Sequence, residues 1–523
     1  MAKCLTRLWA VLLVSTCISF PGLAQKKQSY AEPVYPEDDR LQRMKAAMPF
    51  IDSLYRDYAK EKQFPSLAYG LVADGQLIAS GCLGQANTNQ RIRADLSTLY
   101  RIASMSKSIT ALAILQLRDA GRLRLDDPVD LYIPLMKNNS LLTTDAPPIT
   151  IRHLMSHAAG FPEDNPWGDR QLEDTHEDLV ALIRKGTWFS NVPGVAYEYS
   201  NLGFALLGQI VEKISGQPLE QYTREKIFKP LGMDHTEWEY TKVPQGKLAL
   251  GYRRIGQEWI EEPLLHHGVY GAMGGLITSI GDFQKYLSLH LSAWPPRDGL
   301  ENPVLKRSSL REMHLPVNFS GFHPAFRYPG QRPCAVVTAY GYGLSWMRDC
   351  EGRVYVGHSG GLPGYGSQWR FLPEYGIGLV AFANLTYADL GTINLRVLDS
   401  LIRRTGIRPR GVPASPVLLA RQKQLIQVLP DWKAENLSAL SSGAGNIFAE
   451  NFFEDVFLET RQTIHQRAFK AIGPILRNGP LIAENQLRGS YLVEGEKGKL
   501  SVFFTLSPED PPLIQELEIT IVK

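Results

Sequence analysis

The sequence predicts an α/β chain of the α+β kind: an antiparallel sheet with helices packed on it, followed by a small C-terminal α+β domain. Three observations predict this. Leu41, Met44, Met48, Ile51, Tyr55 and Tyr58 recur at helical spacing and end before Pro65. Two strand-like runs follow, Leu67 to Val72 and Leu77 to Gly81, joined at the turn pair Asp74-Gly75. Late in the chain four more runs read as strands: Gly341 to Trp346, Val354 to Gly357, Gly366 to Leu372 and Gly378 to Asn384.

Between these parts the reading is mostly helix and loop. A helix opens near Ser104, carries Ile109, Leu112, Leu115 and Leu117, and stops at Gly121. Residues 125 to 200 are rich in Pro and Gly and read as loops. A helix spans Phe204 to Ile214, another starts near Asp282, and a closing helix fits Ile393 to Arg403. Residues 406–416 hold three prolines and two glycines and read as a linker, which bounds a main domain at 39–405. The tail, 417–523, starts helical, has a second helical segment around Phe448, Phe452, Phe453, Val456 and Phe457, and ends in the runs Gly489 to Val493, Lys499 to Thr505 and Leu513 to Val522.

The totals exclude some functions. The 523 residues are 44% hydrophobic and 21% charged, with a net charge of +3. Both signs are mixed along the chain and no Lys/Arg stripe exists, so nucleic acid is not an expected partner. Residues 1–24 read as a signal peptide: Lys3 and Arg7, then an apolar run from Leu8 to Phe20, then the small-residue exit Gly22-Leu23-Ala24. Cleavage after Ala24 leaves a polar lead over 25–38 and implies export to a periplasm or the extracellular space. No later run is long and apolar enough for a transmembrane helix. Cys82, Cys334 and Cys350 remain in the mature chain. Cys334 and Cys350 are near enough in sequence to close a small loop, and pairing is left open. Cys82 reads as a buried strand cysteine.

Three segments carry candidate chemistry. In Ser104-Met105-Ser106-Lys107 the serine sits at a helix start, where backbone N–H groups are unpaired. Lys107 lies one turn on, on the same face, and can bond the hydroxyl and ease its deprotonation. Tyr199-Ser200-Asn201 follows the turn at Pro193-Gly194. A lysine nearby would favour a phenolate at Tyr199, able to take a proton from Ser104. Asn201 offers an amide to a substrate amide. His358-Ser359-Gly360-Gly361 ends a strand whose small residues let a substrate backbone approach. His358 could give a charge or a hydrogen bond to a substrate carboxylate, and the N–H groups of Ser104 and Gly361 could form an oxyanion hole.

In this order and spacing the three segments resemble the serine β-lactamase and penicillin-binding protein superfamily, whose signature is S-x-x-K, a Ser or Tyr element and a K-T-G strand. The Tyr-Ser-Asn form is similar to the class C β-lactamases, the D-alanyl-D-alanine carboxypeptidases, and their esterase and D-aminopeptidase relatives. Residues 150–162, 204–212 and 227–233 are similar to that branch as well. The resemblance implies a helical subdomain inserted in the α/β unit, with the site between them. It implies Ser104 as acylated nucleophile, Lys107 and Tyr199 as the proton network, Asn201 on the acyl-side amide, and His358, Ser359 and Gly360 lining the substrate strand. His358 stands where class C β-lactamases have lysine, which weakens a β-lactam reading. The expected substrate is an amide or ester, foremost a D-amino-acid or peptidoglycan-derived peptide, then a carboxylic ester, then a β-lactam. A non-catalytic wall-binding or sensor protein is the alternative of another class. No cofactor is expected, and no metal: His153 and His157 are four apart but have no acidic partner nearby. His266 and His267 are placed near the cleft rim, with Tyr270 and Tyr365 as candidate lining.

Overall fold

The computed structural model describes residues 30–138, 141–430 and 446–522. The chain divides into two compact units, Glu32–Gly411 and one that includes Val412–Lys523.

The first unit is built on a nine-stranded sheet. Its strands are β1 (Ser66–Ala73), β2 (Gln76–Asn87), β3 (Ile92–Arg93), β8 (Asn318–His323), β9 (Val336–Tyr340), β10 (Ser345–Asp349), β11 (Val354–Leu362), β12 (Tyr365–Leu372) and β13 (Ile377–Ala383). Two short pairs stand apart: β4 (Tyr100–Arg101) with β7 (Ile277–Thr278), and β5 (Tyr252–Ile255) with β6 (Glu258–Glu261). The order in the large sheet is β3-β2-β1-β13-β12-β11-β10-β9-β8, and every pairing is antiparallel.

The central strands are buried on both faces, which is why they read as unbroken apolar runs rather than alternating ones. On one face Leu67, Tyr69, Leu71, Leu379 and Ala381 pack with residues of the Met48–Lys62 and Gly391–Thr405 helices. On the other, Ala68, Trp369, Phe371, Val380 and Phe382 meet the Ser106–Asp119 and Ile280–Ser292 helices. Each such fully buried large side chain contributes roughly 1.5–3 kcal/mol. Residues 103–292 supply the helical part, in which Phe204, Leu206, Leu207 and Ile210 of the Asn201–Ser215 helix are fully buried.

Several expectations need correction. The first helix is two, Arg40–Ala46 and Met48–Lys62, because Pro49 has no N–H to continue the first and is suited to start the second. The strand expected over Gly341 to Trp346 is a turn followed by β10. Gly343 has φ +67°, and a Cβ there would lie 2.7 Å from the Lys107 carbonyl oxygen. This glycine turn therefore packs directly on the helix that carries Lys107. Strand β8 was not foreseen, since residues 317–335 carry no clean alternation, and the strand region begins earlier than Tyr340, at Val336 of β9. Cys334 and Cys350 form a disulfide, and Cys82 is only half-buried on β2.

The second unit has helices Pro416–Val428, Asn451–Asp455 and Leu458–Ile472, then five strands: β14 (Ile475–Asn478), β15 (Ile482–Asn485), β16 (Arg488–Gly495), β17 (Gly498–Leu506) and β18 (Ile514–Val522). The helix expected through Phe448 and Phe457 is the short Asn451–Asp455 turn instead. Phe448 lies outside it, bridging Ile514, and stacks on Phe452 at 4.4 Å. The aromatic spacing records that cluster rather than one continuous helix. Among the described residues no helix is long and apolar enough to cross a membrane.

Candidate active site

Ser104 sits in a short 3-10 turn, Ala103–Met105, immediately before the Ser106–Asp119 helix. Ala103 adopts φ +49°, a left-handed conformation rare for residues other than glycine. The turn is held from several sides. The Ile102 N–H donates to the Leu276 carbonyl at 3.0 Å, and the Ile102 carbonyl accepts from the Ser367 hydroxyl at 2.6 Å. The Ser106 hydroxyl donates to the Ala103 carbonyl at 2.7 Å and accepts from the Leu276 N–H at 3.1 Å.

Lys107 is fully buried beside it. Its ammonium donates to Ser104 Oγ at 3.0 Å, Asn201 Oδ1 at 2.7 Å and the Met273 carbonyl at 2.9 Å. Those three bonds use all three donors of an ammonium. Burial pushes its pKa down to about 7, against the carboxylates of Asp169 and Asp164, which pull it up. Asp169 in turn is pushed up to about 6 by burial, with Lys107 opposing. An amine poised near 7 can hold or release a proton at neutral pH.

Tyr199 lies before the Asn201–Ser215 helix, whose N-cap is Ser200: its hydroxyl accepts from the Gly203 N–H at 3.2 Å. The Tyr199 ring keeps part of its surface on the cavity, and Lys107 Nζ lies 4.9 Å from its centroid. Burial raises the phenol well above 10, and the hydrogen bond with Ser104 lowers it by less. The phenolate expected beside a lysine is thus disfavoured here by the burial of the phenol, with Tyr197, Asp169 and Asp164 acting in the same direction. Asn201, expected at a substrate amide, is fully buried instead. Its Oδ1 accepts from Lys107, and its Nδ2 donates to Asn165 Oδ1 at 3.2 Å.

On β11, His358 pairs with Trp369 and lies against Tyr340. The Tyr340 hydroxyl and His358 Nε2 are 2.7 Å apart, and His358 Nδ1 and the Ser359 carbonyl are 2.5 Å apart. With the phenol donating to Nε2, Nδ1–H donates to the carbonyl, so both ring nitrogens are used within the protein. Burial pushes the imidazole down to about 3, with Lys107 in the same direction, so it is neutral. The positive group that the sequence offered for a substrate carboxylate is therefore not there. Gly360 has no room for a side chain: a Cβ would meet the Ile102 carbonyl oxygen at 2.3 Å and Ser367 Oγ at 2.4 Å. Its lack of side chain lets β11 press on the turn that carries Ser104. At Gly361 a Cβ would lie 2.7 Å from the Tyr387 ring.

A cavity of about 570 Å³ brings these parts together, lined by Ser104, Tyr199, His358, Ser359, Gly360 and Gly361. Asn165, Asp169, Tyr340 and Tyr387 also line it and were not singled out in the sequence. Asp164 was missed as well. Its carboxylate accepts from the N–H groups of Asn201 at 2.6 Å and Leu202 at 2.9 Å, fixing the helix start beside Lys107. These acids lie in the loop-rich stretch, where no periodicity marks them, and the helix start that Asp164 holds lies 37 residues further on. Tyr270 and Tyr365 are core residues; Tyr365 donates to the Ala249 carbonyl at 2.7 Å. His267 packs on Trp238, and His266 lies on Glu239 and Tyr240. His153 accepts the Thr150 N–H within a helix cap, at 3.3 Å. Among the described residues no group of three or more His, Cys, Asp or Glu is arranged to hold a metal ion.

An antiparallel sheet between helical layers, with a buried serine–lysine pair at a helix start facing a Gly-rich strand, defines the serine β-lactamase and penicillin-binding protein class. Residues 51–401 match the family described as Beta-lactamase, and the chain belongs to that family. Protein flp of Staphylococcus aureus strain MW2 is 26% identical over 337 residues, 64% of this chain and 62% of that protein. The chain thus spans less than two thirds of that relative's length. Beta-lactamase-like protein 2 of Dictyostelium discoideum is 27% identical over 398 residues, 72% of this chain and 68% of that protein. Among solved structures, the octameric penicillin-binding protein homologue from Pyrococcus abyssi superposes with a TM-score of 0.59 at 23% identity, covering 91% of this chain and 100% of that one. A penicillin binding protein from Bacillus halodurans gives 0.53 at 23% identity, covering 67% and 98%. At these identities the two structures establish the fold.

Proposed function

We propose that the protein is a secreted serine acyl hydrolase in which Ser104 is acylated by an amide or ester and the acyl group is released to water. The observation that carries this is the fully buried Lys107, 3.0 Å from Ser104 Oγ, with its pKa brought to about 7. Neutral Lys107 takes the Ser104 proton as Oγ attacks the substrate carbonyl. The N–H groups of Ser104 and Gly361 receive the developing oxyanion. Tyr199, a neutral phenol at the cavity, hands a proton to the leaving group and recovers it through the Lys107 network. Water then attacks the acyl-enzyme by the same route in reverse.

The neutral, fully bonded His358 bears on the substrate. It gives no charge to a carboxylate, which supports an ester, or a peptide without a carboxylate next to the scissile bond, over a β-lactam. Within that class a D-amino-acid peptide remains the first choice and a carboxylic ester the second. The Cys334–Cys350 disulfide supports export, since such bonds persist in oxidising compartments.

The test is intact mass of the mature form over time with benzylpenicillin, a p-nitrophenyl ester and a D-alanyl peptide, with Ser104→Ala beside it. Turnover or an adduct in the wild type and not in the variant supports the reading. Absence of both with all three probes overturns it, and retained binding without turnover would favour a non-catalytic sensor.

A further inference from the structure

His157 belongs to the loop after the Ile151–Met155 helix, and the mechanism above does not use it. It is buried, yet it adopts φ +56°, the left-handed conformation that a bulky side chain rarely takes. That backbone turn lets one residue grip a neighbouring segment with both its main chain and its ring. The His157 carbonyl accepts from the Glu198 N–H at 2.9 Å, and His157 Nδ1 accepts from the Ser200 N–H at 3.1 Å. The two donors are the residues on either side of Tyr199. Between them, the imidazole lies against the Tyr199 ring, with centroids 4.2 Å apart and planes 38° apart. Tyr340 at 4.4 Å and Phe204 at 5.2 Å pack around the imidazole. The loop is itself tied down, since Asn318 Nδ2 donates to the carbonyls of Ser156 at 3.1 Å and His157 at 3.3 Å.

We propose that His157 is a positioning residue for Tyr199: by accepting the N–H groups on both sides of that tyrosine it fixes where the phenol stands relative to Ser104. The inference rests on the reading of Tyr199 as part of the proton network. Nδ1 must remain an acceptor for the grip to hold, and burial, which lowers the imidazole pKa, keeps the ring neutral. The neutral ring carries its proton on Nε2, which is buried without a hydrogen-bond partner, so the ring is held by the Ser200 N–H on Nδ1 and by the aromatic rings around it.

Two substitutions separate the grip from mere packing. His157→Asn tolerates the left-handed backbone and puts its Oδ1 where Nδ1 was, so the Ser200 N–H keeps an acceptor. His157→Gln carries its oxygen one carbon further out and cannot serve that N–H in the same way. The experiment measures kcat and KM per acylatable enzyme on the best substrate. Amide hydrogen exchange is followed over residues 196–202 by mass spectrometry. The expected result is kcat within about threefold of wild type for His157→Asn. For His157→Gln a loss of about 100-fold is expected with KM nearly unchanged, the scale of an ångström-level misplacement. Exchange over 196–202 should rise in the Gln variant only. Equal kcat in the two variants, or normal exchange in both, overturns the proposal, even if both melt earlier than wild type. If the wild type shows no hydrolysis, the proposed function fails while the exchange comparison still decides the grip. If His157→Gln does not fold, exchange in His157→Asn decides: protection as in wild type supports the grip, and its loss overturns it.

Discussion

Two buried ionisable side chains belong to the site, Lys107 behind Ser104 on the helix side and His358 lining the cavity on the strand side, and they end in different charge states. Lys107 loses most of its preference for charge but keeps a proton within reach of neutral pH, because Asp164 and Asp169 pull its pKa back up. Burial, with Lys107 adding to it and the hydrogen bond to the Ser359 carbonyl opposing it, lowers His358 to about 3, and it stays neutral, bonded to Tyr340. The same desolvation produces a proton carrier in one place and a fixed hydrogen-bonding wedge in the other. Both groups fall by a similar amount, and the outcome differs because an amine starts near 10.5 and an imidazole near 6.5.

The largest effect should come from the helix side. Ser104→Ala and Lys107→Met should each lower kcat/KM by about 10³-fold or more, as expected on losing a nucleophile or its base. Steady-state kinetics on folded protein reads this. On the strand side Tyr340→Phe should change kcat less than tenfold. It should lower stability by about 1–2 kcal/mol, because His358 Nε2 is left buried without a partner. A larger loss of turnover than of stability there would make His358 part of the chemistry and break the contrast. Gly360→Ala should destabilise by about 1–3 kcal/mol, since its Cβ overlaps the Ile102 carbonyl oxygen that anchors the nucleophile turn. Denaturant unfolding measures both values. The smallest expected change is a shift rather than a loss. Asp169→Asn removes a negative charge that raises the Lys107 pKa, so the rising limb of the pH–rate profile should move to lower pH.

The contrast also explains what was legible in the sequence. Ser104 and Lys107 are three residues apart at a helix start, so their meeting follows from helical spacing alone. The sheet around Asp74-Gly75 and the late apolar runs were readable for the same reason, as local pattern. The charge state of His358 was not, because it depends on burial and on Lys107, which only the fold brings near it. Asn201 was assigned to the substrate because its amide is chemically able to bind one, and only the fold shows that Lys107 and Asn165 occupy it. Asp164, Asn165 and Asp169 lie in a stretch whose shape comes from docking on other segments. Its own residues carry no repeating pattern to read. Gly360 was read correctly as a site of close backbone approach, but the backbone that approaches is the protein's own.

If Lys107, neutral at working pH, accepts the Ser104 proton, acylation follows its titration. The pre-steady-state acylation rate against pH, for wild type and Asp169→Asn, tests it most directly. The rate should rise with an apparent pKa near 7 and then level, with the variant rising earlier. A rate that is flat through neutral pH, or that keeps climbing toward pH 10 as a phenolate or an ordinary lysine would require, would contradict it.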